Sequence, residues 1–162
     1  MLELYQVGLV FVALLIGIFV LAVRSWVTRS KAQSNQIGSP DFIDYSNHGH
    51  SGLYVATTFE DRPLDRVTAH GLGFAGKAVV GVSAVGVTVS RTGEKSFRIP
   101  TSSLIDISRT SAVIDKTVEK DGLLSLRWKL GQAVVESHFR FPTSNERDLL
   151  GKAVANLLVG AS

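Results

Sequence analysis

The sequence contains no cysteine. Catalysis by a thiol nucleophile is therefore excluded, and the absence fits a protein of a reducing compartment. The 162 residues also contain no internal repeat and no low-complexity tract. A chain of this length predicts one domain, or one domain with an additional segment.

Concentrated charge of either sign is missing from most of the chain. The net charge is +3, but Glu3 and three basic residues, Arg24, Arg29 and Lys31, belong to the first 31 residues. From Asp41 onward, 14 basic residues stand against 13 acidic ones. Nucleic-acid binding needs a concentrated basic face, so this balance argues against a nucleic-acid partner.

A long apolar run lies near the start of the chain. Residues 7–23, VGLVFVALLIGIFVLAV, carry no charged or strongly polar side chain, and Tyr5 and Trp26 extend the run to 22 residues. About 20 apolar residues span a bilayer as a helix, and aromatic rings favour its two interfaces. A cleaved signal peptide needs a basic segment before a shorter run, whereas MLELYQ carries only Glu3. We therefore expect residues 1–27 to be a transmembrane anchor in contact with the lipid bilayer.

Basic residues flank this run on one side only, since Arg24, Arg29 and Lys31 follow it and none precedes it. Lys and Arg accumulate on the cytoplasmic side of membranes. We therefore expect a single-pass protein of the inner cell membrane with its N-terminus outside and the rest of the chain in the cytoplasm. The alternative is the inverted orientation, with an extracytoplasmic domain. Ala13 and Gly17 are a small-residue pair through which two anchors could pack as a homodimer.

The rest of the chain divides into a polar segment and a β-rich segment. Residues 28–51 are rich in Ser, Asn, Gln and Gly, lack periodicity and predict a linker. From residue 52, short β-branched and aromatic runs separated by turn residues predict about seven antiparallel strands, including a hairpin around Ser83–Gly86. LLSLRWKL and AVVESHFR alternate apolar and polar residues on either side of a Gly131–Gln132 turn, which predicts one buried and one solvated face.

The last segment predicts a helix. Thr143 and Glu146 fit a capping box after Pro142. Six apolar residues then recur at helical spacing and form one stripe: Leu149, Leu150, Ala153, Val154, Leu157 and Leu158. About seven strands followed by one amphipathic helix predict a mainly-β pleckstrin-homology-like (PH-like) domain over residues 52–160, behind the transmembrane helix.

Three motifs carry a resemblance to a known family: GLYVATTFEDRPLDRVTAHGLGFAGKA, FRIPTSSL and LRWKLGQAVVESHFRFP. They resemble the cytoplasmic part of a small actinobacterial family of single-pass membrane proteins with a PH-like domain. That family has no established biochemical activity, so the resemblance implies no functional residues. Its genes tend to lie among pyrimidine-biosynthesis genes, which implies a context but no chemistry.

One glycine-rich stretch, HGLGFAGKAVVGV (70–82), resembles nucleotide-binding motifs in the identity and spacing of its residues. Gly71, Gly73 and Gly76 spell the dinucleotide pattern GxGxxG, and Gly71, Gly76 and Lys77 nearly spell a phosphate loop. Both motifs need a helix after the turn, and the phosphate loop needs a hydroxyl where Ala78 stands. We expect strand over Lys77–Val82 and a glycine-containing bend before it, which argues against a nucleotide enzyme.

The histidines and acidic residues near residues 41–50 predict no metal site. His48 and His50 lie near Asp41 and Asp44, but a linker lacks the closed ligand shell that zinc requires. His138 falls on the polar face of a strand. No spacing in the chain indicates a catalytic group, so we expect no catalytic, cofactor-binding or metal-binding residues.

Four basic residues could meet near strand ends: Lys77, Arg91, Lys95 and Arg98. Some PH domains hold anionic headgroups in this region, so these four are the candidate anion contacts. The alternative, which the even charge balance favours, is that they are solubilising charges on a solvated sheet face. We expect a non-catalytic module that binds a protein partner or scaffolds a complex at the membrane, with headgroup binding as the alternative function.

Overall fold

The computed structural model describes residues 2–110, 112–113, 116–117 and 122–160, with side chains for 5–28, 37–109 and 122–160. Two α-helices, ten strands and two three-residue 3-10 helices (Ala69–Gly71 and Thr101–Ser103) are formed in these residues; the α-helices and strands are named here. They are α1 (Leu2–Ile37), β1 (Asp41–Ile43), β2 (His50–Phe59), β3 (Gly76–Ser83), β4 (Gly86–Arg91), β5 (Ser96–Pro100), β6 (Leu104–Thr110), β7 (Ala112–Val113), β8 (Lys116–Thr117), β9 (Leu123–Leu130), β10 (Ala133–Arg140) and α2 (Ser144–Gly160).

Eight strands form one antiparallel sheet in the order β1-β5-β4-β3-β2-β10-β9-β6, and β7 and β8 pair separately. The predicted hairpins are confirmed, since β3 pairs with β4 and β9 pairs with β10 across the Gly131–Gln132 turn. The prediction of a mainly-β domain with a helix at each end of the chain is also confirmed.

The alternation in β9 produces the predicted buried face. Leu124, Leu126, Trp128 and Leu130 are all buried, and Lys129 between them is exposed. Full burial of one such apolar side chain contributes about 1.5–3 kcal/mol. The ring of Trp128 stacks on Phe97 of β5, with centroids 6.1 Å apart, so the core joins distant strands of the sheet.

Helix α2 begins at the predicted cap. The backbone N–H of Glu146 donates to the hydroxyl oxygen of Thr143 (3.2 Å), and the Thr143 hydroxyl donates to the Glu146 carboxylate (3.4 Å). Such a cap satisfies one of the unpaired N–H groups of the first turn. Leu150 and Val154 from the apolar stripe are fully buried in the core.

The linker predicted over residues 28–51 is not irregular throughout. Helix α1 continues to Ile37, ten residues beyond the predicted end of the anchor, and β1 pairs with β5 through Asp41–Arg98 and Phe42–Phe97. A three-residue strand is too short to show an alternating pattern. It is stabilised by pairing with a strand far along the chain, which no local pattern indicates. The boundaries of 1–27, 28–51 and 52–160 as separate units stay a prediction.

The N-terminal part of α1 is apolar and exposed. Tyr5–Thr28 is long and apolar enough to cross a membrane, with a mean hydropathy of 2.8 in its most apolar window, and none of that window is buried. Arg24 is exposed at its end, whereas the side chains of Arg29 and Lys31 lie outside the described residues. The helix is therefore compatible with membrane anchoring.

The C-terminal end of α1 contacts the β domain. The ring of Trp26 lies 6.2 Å from that of Phe74, and Ile37 is fully buried. A Cβ placed on Gly131 would lie 2.5 Å from the Ile37 carbonyl oxygen, so the β9–β10 turn touches the helix end directly. These contacts, rather than a free tether, position the β domain relative to the helix.

Candidate functional site

The glycine stretch at residues 70–76 forms a bend that leads into a strand. His70 and Gly71 have positive φ angles of 57° and 72°, and Gly76 is the first residue of β3. Glycine adopts a positive φ without the steric cost of a side chain. Lys77–Val82 is strand, as predicted, so the helix N-terminus that both nucleotide motifs require is absent from these residues.

Arg91 is buried behind this bend, with 2 % of its surface exposed. Its guanidinium donates to the carbonyl oxygen of Gly71 (2.8 Å) and twice to that of Lys95 (2.7 and 3.1 Å). It also lies over the rings of Tyr54 and Phe97, at 5.1 and 5.2 Å. Burial lowers the pKa of Arg91, and electrostatic interactions with Tyr54 and Glu94 partly oppose that shift.

These contacts assign Arg91 a structural role. The sequence placed it among the candidate anion contacts, but its guanidinium is directed into the protein, where backbone carbonyls and ring faces surround it. Periodicity could not reveal this, because burial of an arginine depends on acceptors that only the folded chain brings together.

Lys95 and Arg98 are accessible, but each contacts a residue of the β1 strand. The Lys95 ammonium lies 5.1 Å from the centre of the Phe42 ring, and the Arg98 Nε lies 3.6 Å from the Asp41 carboxylate. The ion pair with Asp41 offsets the charge of Arg98, whereas the Phe42 ring leaves the charge of Lys95 in place. Because Arg91 is buried, the four basic candidates do not form one accessible cluster.

Lys77 has a different environment, because it belongs to a row of three side chains across three strands. Lys77 of β3 pairs with Leu53 of β2, and Leu53 pairs in turn with Arg140 of β10. Directly paired residues of antiparallel strands point to the same side of the sheet. With strands about 4.8 Å apart, the backbones of Lys77 and Arg140 are about 10 Å apart, with Leu53 between them.

This row lies in a groove with a volume of about 480 Å³. The lining residues are Tyr45, Ser51, Gly52, Leu53, Lys77, Ala78, Val79, Thr92, Arg140, Phe141 and Pro142. They include two cations, several apolar side chains and no carboxylate. Lys77 and Arg140 are exposed, and neither has an ion pair within the described part of the chain. We take this cationic groove as the candidate binding site.

Arg140 was not among the sequence-derived candidates. Its position on the polar face of β10 was visible from the alternation, but its proximity to Lys77 depends on the register of β2 between them. That register includes an irregularity at His138 and Phe139, which no local pattern indicates.

A second groove, of about 210 Å³, lies between β6 and α2. Its rim carries charges of both signs, and Arg109 forms an ion pair of 3.1 Å with Asp148 across it. This ion pair offsets the charge of Arg109, and Lys152 also lines the groove.

The remaining polar groups of the core are paired internally. The Tyr54 hydroxyl donates to the Leu72 carbonyl (2.7 Å), and the Thr57 hydroxyl lies 2.6 Å from both the Tyr54 and the Ser137 hydroxyl oxygens. The indole N–H of Trp128 donates to Ser137 (3.0 Å). Burial raises the pKa of Tyr54, against the smaller opposing effects of Thr57 and Arg91. This network stabilises the core, and none of its side chains lines either of the two grooves described above.

The histidines do not form a metal site. His138 is buried on the outer side of the sheet between Ser125 (2.7 Å) and Thr58 (3.0 Å), and burial lowers its pKa to about 4. The His70 ring N–H donates to the Gly38 carbonyl at the end of α1 (2.8 Å). Among the described residues, no group of three or more His, Asp or Glu side chains could hold a metal ion.

The fold and the groove together define a class of protein. An antiparallel sheet followed by a helix that packs on its core, with a groove on the sheet surface, is the architecture of a PH-like recognition domain, and domains of this class are generally non-enzymatic. The chain matches the family model described as "Bacterial PH domain-like" over residues 40–155. It belongs to that family. A comparison with curated proteins found no match.

Proposed function

We propose that this protein is a membrane-anchored, non-catalytic interaction module that presents its PH-like domain at the cytoplasmic face of the cell membrane. One observation carries the proposal: the exposed apolar helix Tyr5–Thr28 ends where Trp26 packs on Phe74 of the domain. An apolar helix with no buried face is stable only in an apolar environment such as a lipid bilayer. Tryptophan side chains such as Trp26 favour the membrane interface.

The orientation is proposed from charge. Arg24, Arg29 and Lys31 follow the apolar run on the side of the domain, and no basic residue precedes it. The positive-inside rule then favours a cytoplasmic domain. This arrangement agrees with the resemblance to single-pass membrane proteins of actinobacteria, and we propose the same organisation for this chain.

The burial of three potentially reactive side chains supports the non-catalytic role. Arg91, Tyr54 and His138 are all buried and hydrogen-bonded within the domain. The accessible groove carries two cations and apolar side chains, which suit binding rather than general acid–base catalysis. The remaining surface is free to bind a protein partner or scaffold a complex, and Ala13 and Gly17 leave room on α1 for a second copy.

Reporter fusions test both anchoring and orientation. Alkaline phosphatase and a green fluorescent protein would be fused separately to the C-terminus of the full chain. We expect fluorescence and no phosphatase activity, with the protein retained in membranes after alkaline carbonate extraction. Phosphatase activity would instead establish the inverted, extracytoplasmic arrangement, and extraction into the soluble fraction would rule out anchoring.

A further inference from the structure

The loop between β2 and β3 has an apolar tip that is not buried. Phe74 and Ala75 are exposed, whereas Leu72 and Gly73 just before them are buried. A single exposed apolar side chain is common on a protein surface and needs no explanation by itself. Phe74, however, packs on α1, with its ring centroid 6.2 Å from that of Trp26. About half of each residue in this pair stays accessible, 47 % of Phe74 and 48 % of Trp26.

The length of α1 determines where Trp26 lies in a bilayer. From Tyr5 to Trp26 the helix rises about 32 Å, which matches the hydrocarbon core of about 30 Å. In the proposed anchored state these two aromatic residues therefore lie at the two membrane interfaces, and Leu15, midway between them, lies near the bilayer centre. Because Phe74 contacts Trp26, the tip of the loop lies at the cytoplasmic interface.

A second contact shows that the domain lies beside α1. Ile37, the last residue of the helix, is fully buried, and the backbone of Gly131 in the β9–β10 turn lies against it. Trp26 and Ile37 are separated by about 16 Å along the helix axis. The domain therefore contacts α1 at both ends of this stretch, and Phe74 marks the end that faces the bilayer.

We propose that the tip of the β2–β3 loop is a second membrane contact, in which the side chains of Phe74 and Ala75 lie in the interfacial layer of the bilayer beside Trp26. This inference rests on the proposed anchoring of α1. Apolar side chains bury their surface at the boundary of headgroups and acyl chains. Since neither residue is charged, the contact needs no anionic lipid. It also fixes the orientation of the domain, with the β9–β10 turn about 16 Å farther into the cytoplasm than Phe74.

Spin labelling of the full chain in nanodiscs of phosphatidylcholine tests this contact. The protein has no cysteine, so Leu15→Cys, Ala75→Cys and Gln132→Cys each carry one label. Oxygen is enriched in the bilayer and a nickel chelate stays in water, so their relative effects on a label report its depth. We expect the Leu15 label in the bilayer core, the Ala75 label at the interface and the exposed Gln132 label in water. Equal accessibility of the Ala75 and Gln132 labels to the nickel chelate would overturn the proposal.

Substitutions in the Ala75→Cys chain measure the contribution of the Phe74 ring. Phe74→Ser should move the label into water, whereas Phe74→Leu, which keeps an apolar side chain, should leave it at the interface. Val85→Ser is the matched control, because it removes a 60 % exposed apolar side chain from the β3–β4 turn, and it should leave the label depth unchanged. Circular dichroism of all variants checks folding. An unchanged depth in Phe74→Ser, or an equal loss in Phe74→Leu, would overturn the membrane contact of this side chain.

The Leu15 label separates this inference from failure of the anchor. If the nickel chelate reaches the Leu15 label, α1 does not span the bilayer, and both the proposed anchoring and the loop contact are contradicted. If the Leu15 label lies in the bilayer core and the Ala75 label lies in water, the anchoring stands and only the loop contact is contradicted.

Discussion

The guanidinium of Arg91 donates a 2.8 Å hydrogen bond to the carbonyl oxygen of Gly71, twenty residues earlier in the chain. It thereby holds the glycine bend against the β4–β5 turn. The sequence of this bend is the one that resembles a nucleotide motif. Two further hydrogen bonds to the Lys95 carbonyl hold the turn on the other side. The bend is thus held by a buried cation of the protein itself.

Replacing Arg91 by Ala should destabilise the domain by about 3 kcal/mol, because the carbonyls of Gly71 and Lys95 lose a charged donor in a buried environment. Thermal unfolding of the full chain in detergent, followed by near-ultraviolet circular dichroism, measures the effect. Lys95→Ala is the control, since it removes a neighbouring cation but keeps the backbone carbonyl, and it should cost less than about 1 kcal/mol. An equal decrease in melting temperature for both variants would contradict the structural role of Arg91.

His138 should make stability depend on pH. Its pKa is about 4 in the folded protein, below the ordinary value of 6.5, because burial disfavours the charged imidazole. The unfolded chain therefore binds the proton more readily. The contribution is fully present above about pH 6.5 and is lost as the pH falls from about 6.5 toward 4, up to about 3 kcal/mol.

Denaturant unfolding of the wild type and of His138→Gln across pH 4–8 measures this contribution. Carboxylates titrate in the same range in both proteins, so the difference between the two curves isolates the imidazole. The variant should lose less stability on acidification than the wild type. Parallel curves would show that His138 is not responsible.

The N-terminal cap of α2 gives a local test of the sequence-based helix boundary. Thr143→Ala removes the hydroxyl that accepts the Glu146 N–H, and it should cost about 1 kcal/mol. Ser144→Ala replaces the next, exposed residue and should be nearly neutral. The two melting temperatures in detergent are compared directly, and an equal loss for both would argue against the cap.

Local patterns were sufficient for much of the fold. The alternation in 123–130 and 133–140, the glycine turn between them and the Thr143 cap are all encoded by near neighbours, and all are confirmed. The end of α1 and the β1 strand were missed for a shared physical reason. Ile37 is stabilised by contact with Gly131, and β1 is stabilised by pairing with β5. The local sequence of each segment therefore does not determine its structure by itself.

The candidate site was less accessible to sequence reasoning for the same reason. A basic residue can be counted from the sequence, but whether it is buried, paired or exposed depends on its neighbours in the fold. Arg91, Lys95 and Arg98 acquire their partners from elsewhere in the chain. Lys77 and Arg140 become neighbours only because β2 lies between β3 and β10.

The contact between Gly131 and Ile37 should determine how rigidly the domain is held on α1. Gly131 and Gly93 both have a positive φ, 61° and 82°, so alanine at either position costs about 1–2 kcal/mol in backbone strain. Only at Gly131 would the new Cβ meet the helix, 2.5 Å from the Ile37 carbonyl oxygen; at Gly93 no heavy atom lies within 4 Å.

Gly131→Ala should therefore loosen the helix from the domain, and Gly93→Ala should not. Because the protein has no cysteine, spin labels can be attached at cysteines introduced at the exposed residues Thr28 and Ser144 alone. Double electron–electron resonance measures the distance between the two labels. The distance distribution should be narrow in the labelled chain without a glycine substitution and in Gly93→Ala, and broad or shifted in Gly131→Ala. A narrow, unchanged distribution in Gly131→Ala would mean that contacts such as Trp26–Phe74 hold the domain by themselves.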